Sequence, residues 1–159
     1  MKIPTAIAFL LFVLSSVLFA EPAETEKTLV VWVSPANLTQ QGGSALTLQS
    51  GDTLAAIVLG EKARGRWMAG SNFFRRTHPH QGDWPAETAD AETLVQVAVA
   101  YEENHIRIYR NGKPYADYPA KNIDLLGIDN HIAVFGLRHL GAGSEHGTWL
   151  AGEIDDARI

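Results

Sequence analysis

The stretch VQVAVAYEENHIRIYRNGKPY, residues 95–115, leaves a chain little choice of fold. Val95, Val97, Val99 and Tyr101 alternate with smaller or polar residues, and Ile106 and Ile108 repeat the pattern after three turn residues. A period of two places each apolar set on one face of a strand. Asn111-Gly112 then supplies the two positive-φ positions of a tight type I′ turn, so a third strand must fold back on the second. Pro114 has no N–H to donate, which makes that third strand short or puts it at a sheet edge.

The rest of the chain repeats the theme. Apolar runs suited to strands lie at 28–33, 45–49, 54–60, 66–70, 93–101, 105–110, 115–118, 131–137, 148–152 and 153–159. Gly, Pro, Asn and Asp clusters separate them at short intervals, the pattern of an antiparallel sandwich or barrel. Trp32 and Trp149 fall inside these runs and are expected in the core. No segment holds a helical period for ten residues, and there is no internal repeat. Residues 71–92, SNFFRRTHPHQGDWPAETADAE, form a long polar loop with three aromatic side chains. Loops of that length are uncommon without a function or an unusual packing role.

The first twenty residues read as a secretory signal peptide: Lys2, an apolar stretch, then Ala20. They are too short and too serine-rich for a membrane anchor. Residues 21–27 read as a short polar linker, leaving a domain over 28–159, a length able to bury a core without staples. With no Cys, thiolate metal sites and disulfides are excluded. A formal net charge of −5 and no basic face argue against nucleic acid as a partner.

Three segments resemble the laminin-G-like jelly roll, a concanavalin A-like sandwich, in its bacterial exported form. TLVVWVSP ends in Trp-x-x-Pro with Trp32; the central hairpin carries Tyr109, Asn111 and Gly112; the close, GEIDDARI, carries Gly152, Asp155 and Asp156. The resemblance implies an all-β, two-sheet antiparallel jelly-roll sandwich. It also implies that the domain lacks some N-terminal strands of the family, is cut at its closing strand, and belongs to a longer degradative enzyme or stands as a trimmed module.

The closing strand raises the question of catalysis. Glu153 and Asp155 resemble the start of a sandwich-fold glycosidase motif, but Ala157 or Arg158 stands where a second Glu is needed. A retaining glycosidase requires two carboxyl groups about 5–5.5 Å apart. Ile154 and Ile159 are an odd number of positions apart, so facing both inward requires an extra residue, a β-bulge at Asp155-Asp156 with Arg158 as counter-charge. The six His lack metal-ligand spacing, and no nucleophile elbow occurs. One calcium ion stays open as a cofactor, with Asp129 and Asp155 as foremost ligands and Asp117, Asp124 and Glu145 nearby.

Sugar binding would use flat aromatic faces beside polar groups. The candidates are Trp67, Phe73, Phe74, Arg75, Trp84, Tyr115 and Tyr118. Loops 71–92, 119–130 and 138–147 would present them; the alternative is that the long loop folds back and caps the sandwich. The expected function is therefore a non-catalytic exported module recognising carbohydrate or a cell surface. The alternative is a structural accessory domain packed on a downstream enzyme domain, and a glycosidase is the third reading.

Overall fold

The computed structural model describes residues 26–102, 104–121, 131–141 and 149–159. The segment expected to be a signal peptide (1–20), most of the expected linker, and Asp124, Asp129, Glu145 and His146 lie outside the described residues.

The described residues form nine strands: β1 Lys27–Pro35, β2 Gly43–Ser50, β3 Thr53–Leu59, β4 Trp67–Ser71, β5 Val95–Glu102, β6 His105–Arg110, β7 Lys113–Pro119, β8 Ile132–Phe135 and β9 Gly152–Arg158. They form one sheet in the order β7-β6-β5-β1-β9 and a second in the order β4-β3-β2-β8. All pairings are antiparallel. This is the two-sheet sandwich that the alternation called for, and the hairpin turn is as expected: Asn111 and Gly112 have φ of 49° and 72°. The Asn111 side chain also accepts the Gln96 N–H at 2.8 Å, tying the turn to β5. β7, with Pro114, lies at a sheet edge.

Between the sheets, Leu29, Val31 and Val33 of β1 and Val95, Val97 and Val99 of β5 meet Leu46, Leu48, Ile57 and Leu59. Each fully buried side chain of this size stabilises the fold by roughly 1.5–3 kcal/mol. The second sheet is apolar on its outer face too, where Leu54, Ala56, Val58 and Met68 form a separate buried cluster under Phe74 and Trp84. Burial on both faces explains why 54–60 reads as an unbroken apolar run rather than an alternation. Part of the cover comes from the segment after β8: Thr47 Oγ1 donates to the Arg138 carbonyl at 2.8 Å.

Three register shifts interrupt the ladders; one, in β2, leaves Ala45 as the extra residue opposite β3, and the other two bear on candidate residues. Between β1 and β9 the register shifts after Trp32, pairing Trp32 with Asp156 but Val33 with Ile154, so Asp155 has no partner on β1. The extra residue falls where the sequence required one. It lets Ile154 and Ala157, three apart, both pack on the core. Asp156 accepts the Ala157 N–H at 2.8 Å and pairs with Arg158 at 2.9 Å. The second shift, between Ile108 and Tyr109 of β6, leaves Tyr115 of β7 as the extra residue. Tyr115, Ala116 and Tyr118 then all reach the core.

Several expectations need correction. Trp32 points away from the core, because Leu29, Val31 and Val33 occupy the inward positions of β1; its ring lies beneath the Arg158 guanidinium at 4.9 Å. Residues 148–152 do not make a full strand: among the described residues there is one bridge, Leu137 to Trp149, and Trp149 is 58% exposed. Ile159 lies past the end of β9 and is 65% exposed, so the bulge serves Ala157 instead.

The segment leading into β9 is held by backbone contact. The Gln40 side chain donates to the Ala151 carbonyl at 3.0 Å and accepts the Ala151 N–H at 2.9 Å, imitating a neighbouring peptide. It passes so close to β2 that a Cβ on Gly43 would come within 2.7 Å of Leu150 Cα.

Candidate functional site

The long loop 71–92 has two parts with different fates. Its second half folds back on the sandwich. Trp84 stacks on Tyr118 with centroids 5.8 Å apart and meets Tyr115 edge-on at 6.0 Å, while His78 sits 5.1 Å from Tyr118. The Tyr115 hydroxyl donates to the Pro85 carbonyl at 2.6 Å and accepts the Trp67 N–H at 3.1 Å. Burial pushes the Tyr115 phenol up to about 12.

Glu87 holds the same region from inside. Its carboxylate accepts the Trp67 indole N–H at 2.7 Å, the Arg110 guanidinium at 2.6 and 2.8 Å, and the N–H groups of Thr88 and Ala89. Burial alone would raise its pKa, but Arg110, Trp67 and the two backbone donors together hold it at about 2. Trp67, Tyr115 and Tyr118 are thus core residues, with Trp67 wholly buried. Trp67 has no exposed ring face to offer a ligand, and Tyr115 and Tyr118 keep only 9% and 5% of their surface exposed, contrary to the expectation that these rings form an open sugar-binding platform. Trp84 belongs to the cap.

The first half of the loop behaves otherwise. After β4 the chain turns through Phe73 and Phe74, both left-handed with φ of 50° and 57°. Non-glycine residues rarely hold that conformation, at a cost on the order of 1–3 kcal/mol each. Phe74 turns inward onto the outer face of the second sheet, between the Lys62 ammonium at 4.5 Å and the Arg138 guanidinium at 5.6 Å. Arg138 is in turn paired with Glu61, whose pKa is raised by burial against the pull of that arginine. Phe73 goes the other way. It stands 83% exposed, with the Arg75 guanidinium 5.7 Å from its ring.

Phe73 forms one wall of an open cleft of about 560 Å³ on the outer face of the second sheet. Three segments far apart in sequence build it. The β2–β3 hairpin supplies Gln49, Asp52 and Leu54; the turn after β4 supplies Ser71, Asn72 and Phe73; the segment after β8 supplies Arg138, His139, Leu140 and Gly141. Gln49 braces the assembly, donating to the Gly51 carbonyl at 2.9 Å and accepting the Leu140 N–H at 2.8 Å. Asn72 Oδ1 is buried in the wall without a hydrogen-bond partner. An acceptor left in that state costs about 1–3 kcal/mol, which a ligand donor could recover. Asp52 is exposed.

Loops 71–92 and 138–147 therefore do meet, at Phe73 and Arg138–Gly141. The sequence reading missed Gln49, Asp52, Asn72, His139 and Leu140 as members of one site. The only local signal was the Gly51-Asp52 turn; nothing in the chain's periodicity says which loops converge.

Among the described residues, Asp52 is the one carboxylate in the cleft lining. Glu153 and Asp155 are on β9, in the other sheet. Asp117 is held by His105 at 2.6 Å and Arg107 at 3.3 Å on β7, at the far edge of its sheet from Asp155. Four strand spacings of about 4.8 Å separate those edges, so Asp117 and Asp155 cannot share an ion. His78 Nδ1 lies 2.5 Å from the carbonyl of His80.

Two solved structures have this architecture. A native heptameric SAP-like pentraxin from Limulus polyphemus matches 86% of the chain with TM-score 0.58 and 15% identity. Domain 4 of AbnA, a GH43 extracellular arabinanase from Geobacillus stearothermophilus solved with arabinotriose, matches 85% with TM-score 0.58 and 14% identity. The chain spans 64% and 59% of their respective lengths. No curated protein matches it at the sequence level. The family model described as the concanavalin A-like lectin/glucanases superfamily matches residues 14–159, nearly the whole chain, and the protein belongs to that family.

Proposed function

We propose that the protein is a non-catalytic carbohydrate-binding module, exported by the signal peptide at residues 1–20, that takes a sugar in the cleft beside Phe73. The observation that carries this reading is Phe73 itself. A large apolar ring is held 83% exposed by a left-handed backbone, at the mouth of a cleft lined with Asn72, Asp52, Gln49 and His139. Apolar sugar faces stack on such rings while polar neighbours fix the hydroxyls. The presence of arabinotriose in a structure of the same architecture is in keeping with this. A retaining hydrolase would need a second carboxyl group about 5–5.5 Å from Asp52, and the described lining supplies Asp52 alone.

The test is titration of the protein against a polysaccharide panel. Saturable binding that falls at least tenfold in Phe73→Ala, with an unchanged melting curve, supports the reading. Binding unaffected by Phe73→Ala, or hydrolysis of any glycan, overturns it.

One observation favours a second reading, an accessory domain that packs on an enzyme domain in a longer protein. Phe135 and Trp149, 53% and 58% exposed, lie on either side of the Leu150 N–H to Gly136 carbonyl bond that joins the end of β8 to the approach to β9. Exposed apolar side chains side by side can mark a contact site. Failure of all glycans to bind would leave this reading in place.

A further inference from the structure

A second cleft of about 300 Å³ opens on the other side of the turn that carries Phe73. Its lining includes Arg75, Arg76, His78 and Lys121, with Thr77 and Tyr118, and no carboxylate among the described residues. That is unusual in a chain whose net charge is −5. The basic groups have distinct roles. Arg76 is only 3% exposed, and its guanidinium donates to the Leu54 carbonyl at 2.6 Å, so it contributes charge from behind the wall. Arg75 and Lys121 are exposed and form no ion pair among the described residues. Arg75 is placed by its contact with the Phe73 ring.

The two clefts share one short piece of chain. Ser71, Asn72 and Phe73 face the first; Arg75, Arg76 and Thr77 face the second. Ends of a four-residue turn lie within about 7 Å of each other, on the order of one sugar ring. A glycan stacked on Phe73 has the Arg75 guanidinium beside it, 5.7 Å from the ring, and Lys121 lines the same adjoining cleft as Arg75. We infer that the ligand is an acidic glycan, whose carboxylate or sulfate is taken by Arg75 and Lys121 while an adjacent ring stacks on Phe73. The inference rests on the carbohydrate reading above and adds the charge class of the ligand. Arg suits it because its planar fork pairs with carboxylate and sulfate oxygens in a bidentate manner.

The experiment uses the full protein and three glycans: a neutral galactan, polygalacturonate, and a sulfated galactan. At least one acidic glycan should bind about tenfold or more tightly than the neutral one, as a charge-assisted contact would give. Whichever of the two acidic glycans binds better identifies the anion. Arg75→Ala with Lys121→Ala should remove that advantage and flatten the salt dependence of acidic-glycan binding; both side chains are exposed, so the melting curve should not move. Equal binding of neutral and acidic glycans, or an advantage that survives the double substitution, overturns the inference and spares the carbohydrate reading. Failure of all three to bind overturns both.

Discussion

The two ends of the sandwich are finished in different ways. At the β4/β7 end, residues 76–94 fold over the gap between sheets, pinned by the Trp84–Tyr118 stack outside and by the Glu87 carboxylate within. At the β8/β9 end the described residues supply no such cover. β8 is four residues long, and Phe135 and Trp149 remain more than half exposed. The contrast shows that closing a sandwich takes more than apolar strands. Closure at β4/β7 depends on a buried charged group whose five hydrogen-bond donors offset its loss of water; among the described residues β8 is held by its pairing with β2.

The largest effect should follow from removing the pin. Glu87→Ala strips the partner from the Trp67 indole and from Arg110, and should lower stability in denaturant unfolding by about 3–5 kcal/mol, the range for breaking a buried pair. A loss below about 1 kcal/mol would mean that the aromatic stack alone seals that end.

A smaller effect should appear with acid. Glu87 has a folded pKa of about 2, below the ordinary 4.5, so its contribution is complete above about pH 4.5 and disappears as pH falls towards 2. The linked stability is up to about 3 kcal/mol, and Glu87→Gln should flatten that limb of the stability–pH curve. Curves of equal slope in the two proteins would assign acid sensitivity to other carboxylates.

The smallest effect belongs to the open end. Ile132→Ser and Phe135→Ser should each change stability by under about 1 kcal/mol, since their side chains are already half in water. Amide exchange should be faster across β8 than across β5. A cost comparable to that of Glu87→Ala would show that this end is covered in solution.

The sequence made the period-two strands and the Asn111-Gly112 turn legible, because both are local. It could not place Tyr115 and Tyr118, which sit three apart and face inward together only through a bulge opposite Ile108-Tyr109. It misplaced Trp149 because an apolar run beside glycines looks like a strand even where a single bridge forms. It divided Phe73 from Phe74 no better. Adjacent and chemically identical, they differ only in which side of a left-handed turn each leaves. The cleft itself joins residues near 50, 72 and 139, and nothing local records that meeting.

The approach of the chain to β9 carries a last implication, for how such a protein can change over generations. Because Gln40 acts there as a surrogate peptide, and because Leu150 passes where a Gly43 side chain would be, that corner is specified by what is missing and by one amide rather than by shape-matched packing. Surface drift around Trp149 can be wide. At Gly43 even one methyl group would force the backbone aside, and at position 40 Glu would lose the donor while Lys would lose the acceptor. The tolerant and the intolerant positions lie side by side, and size or hydrophobicity scores would rank them the wrong way round.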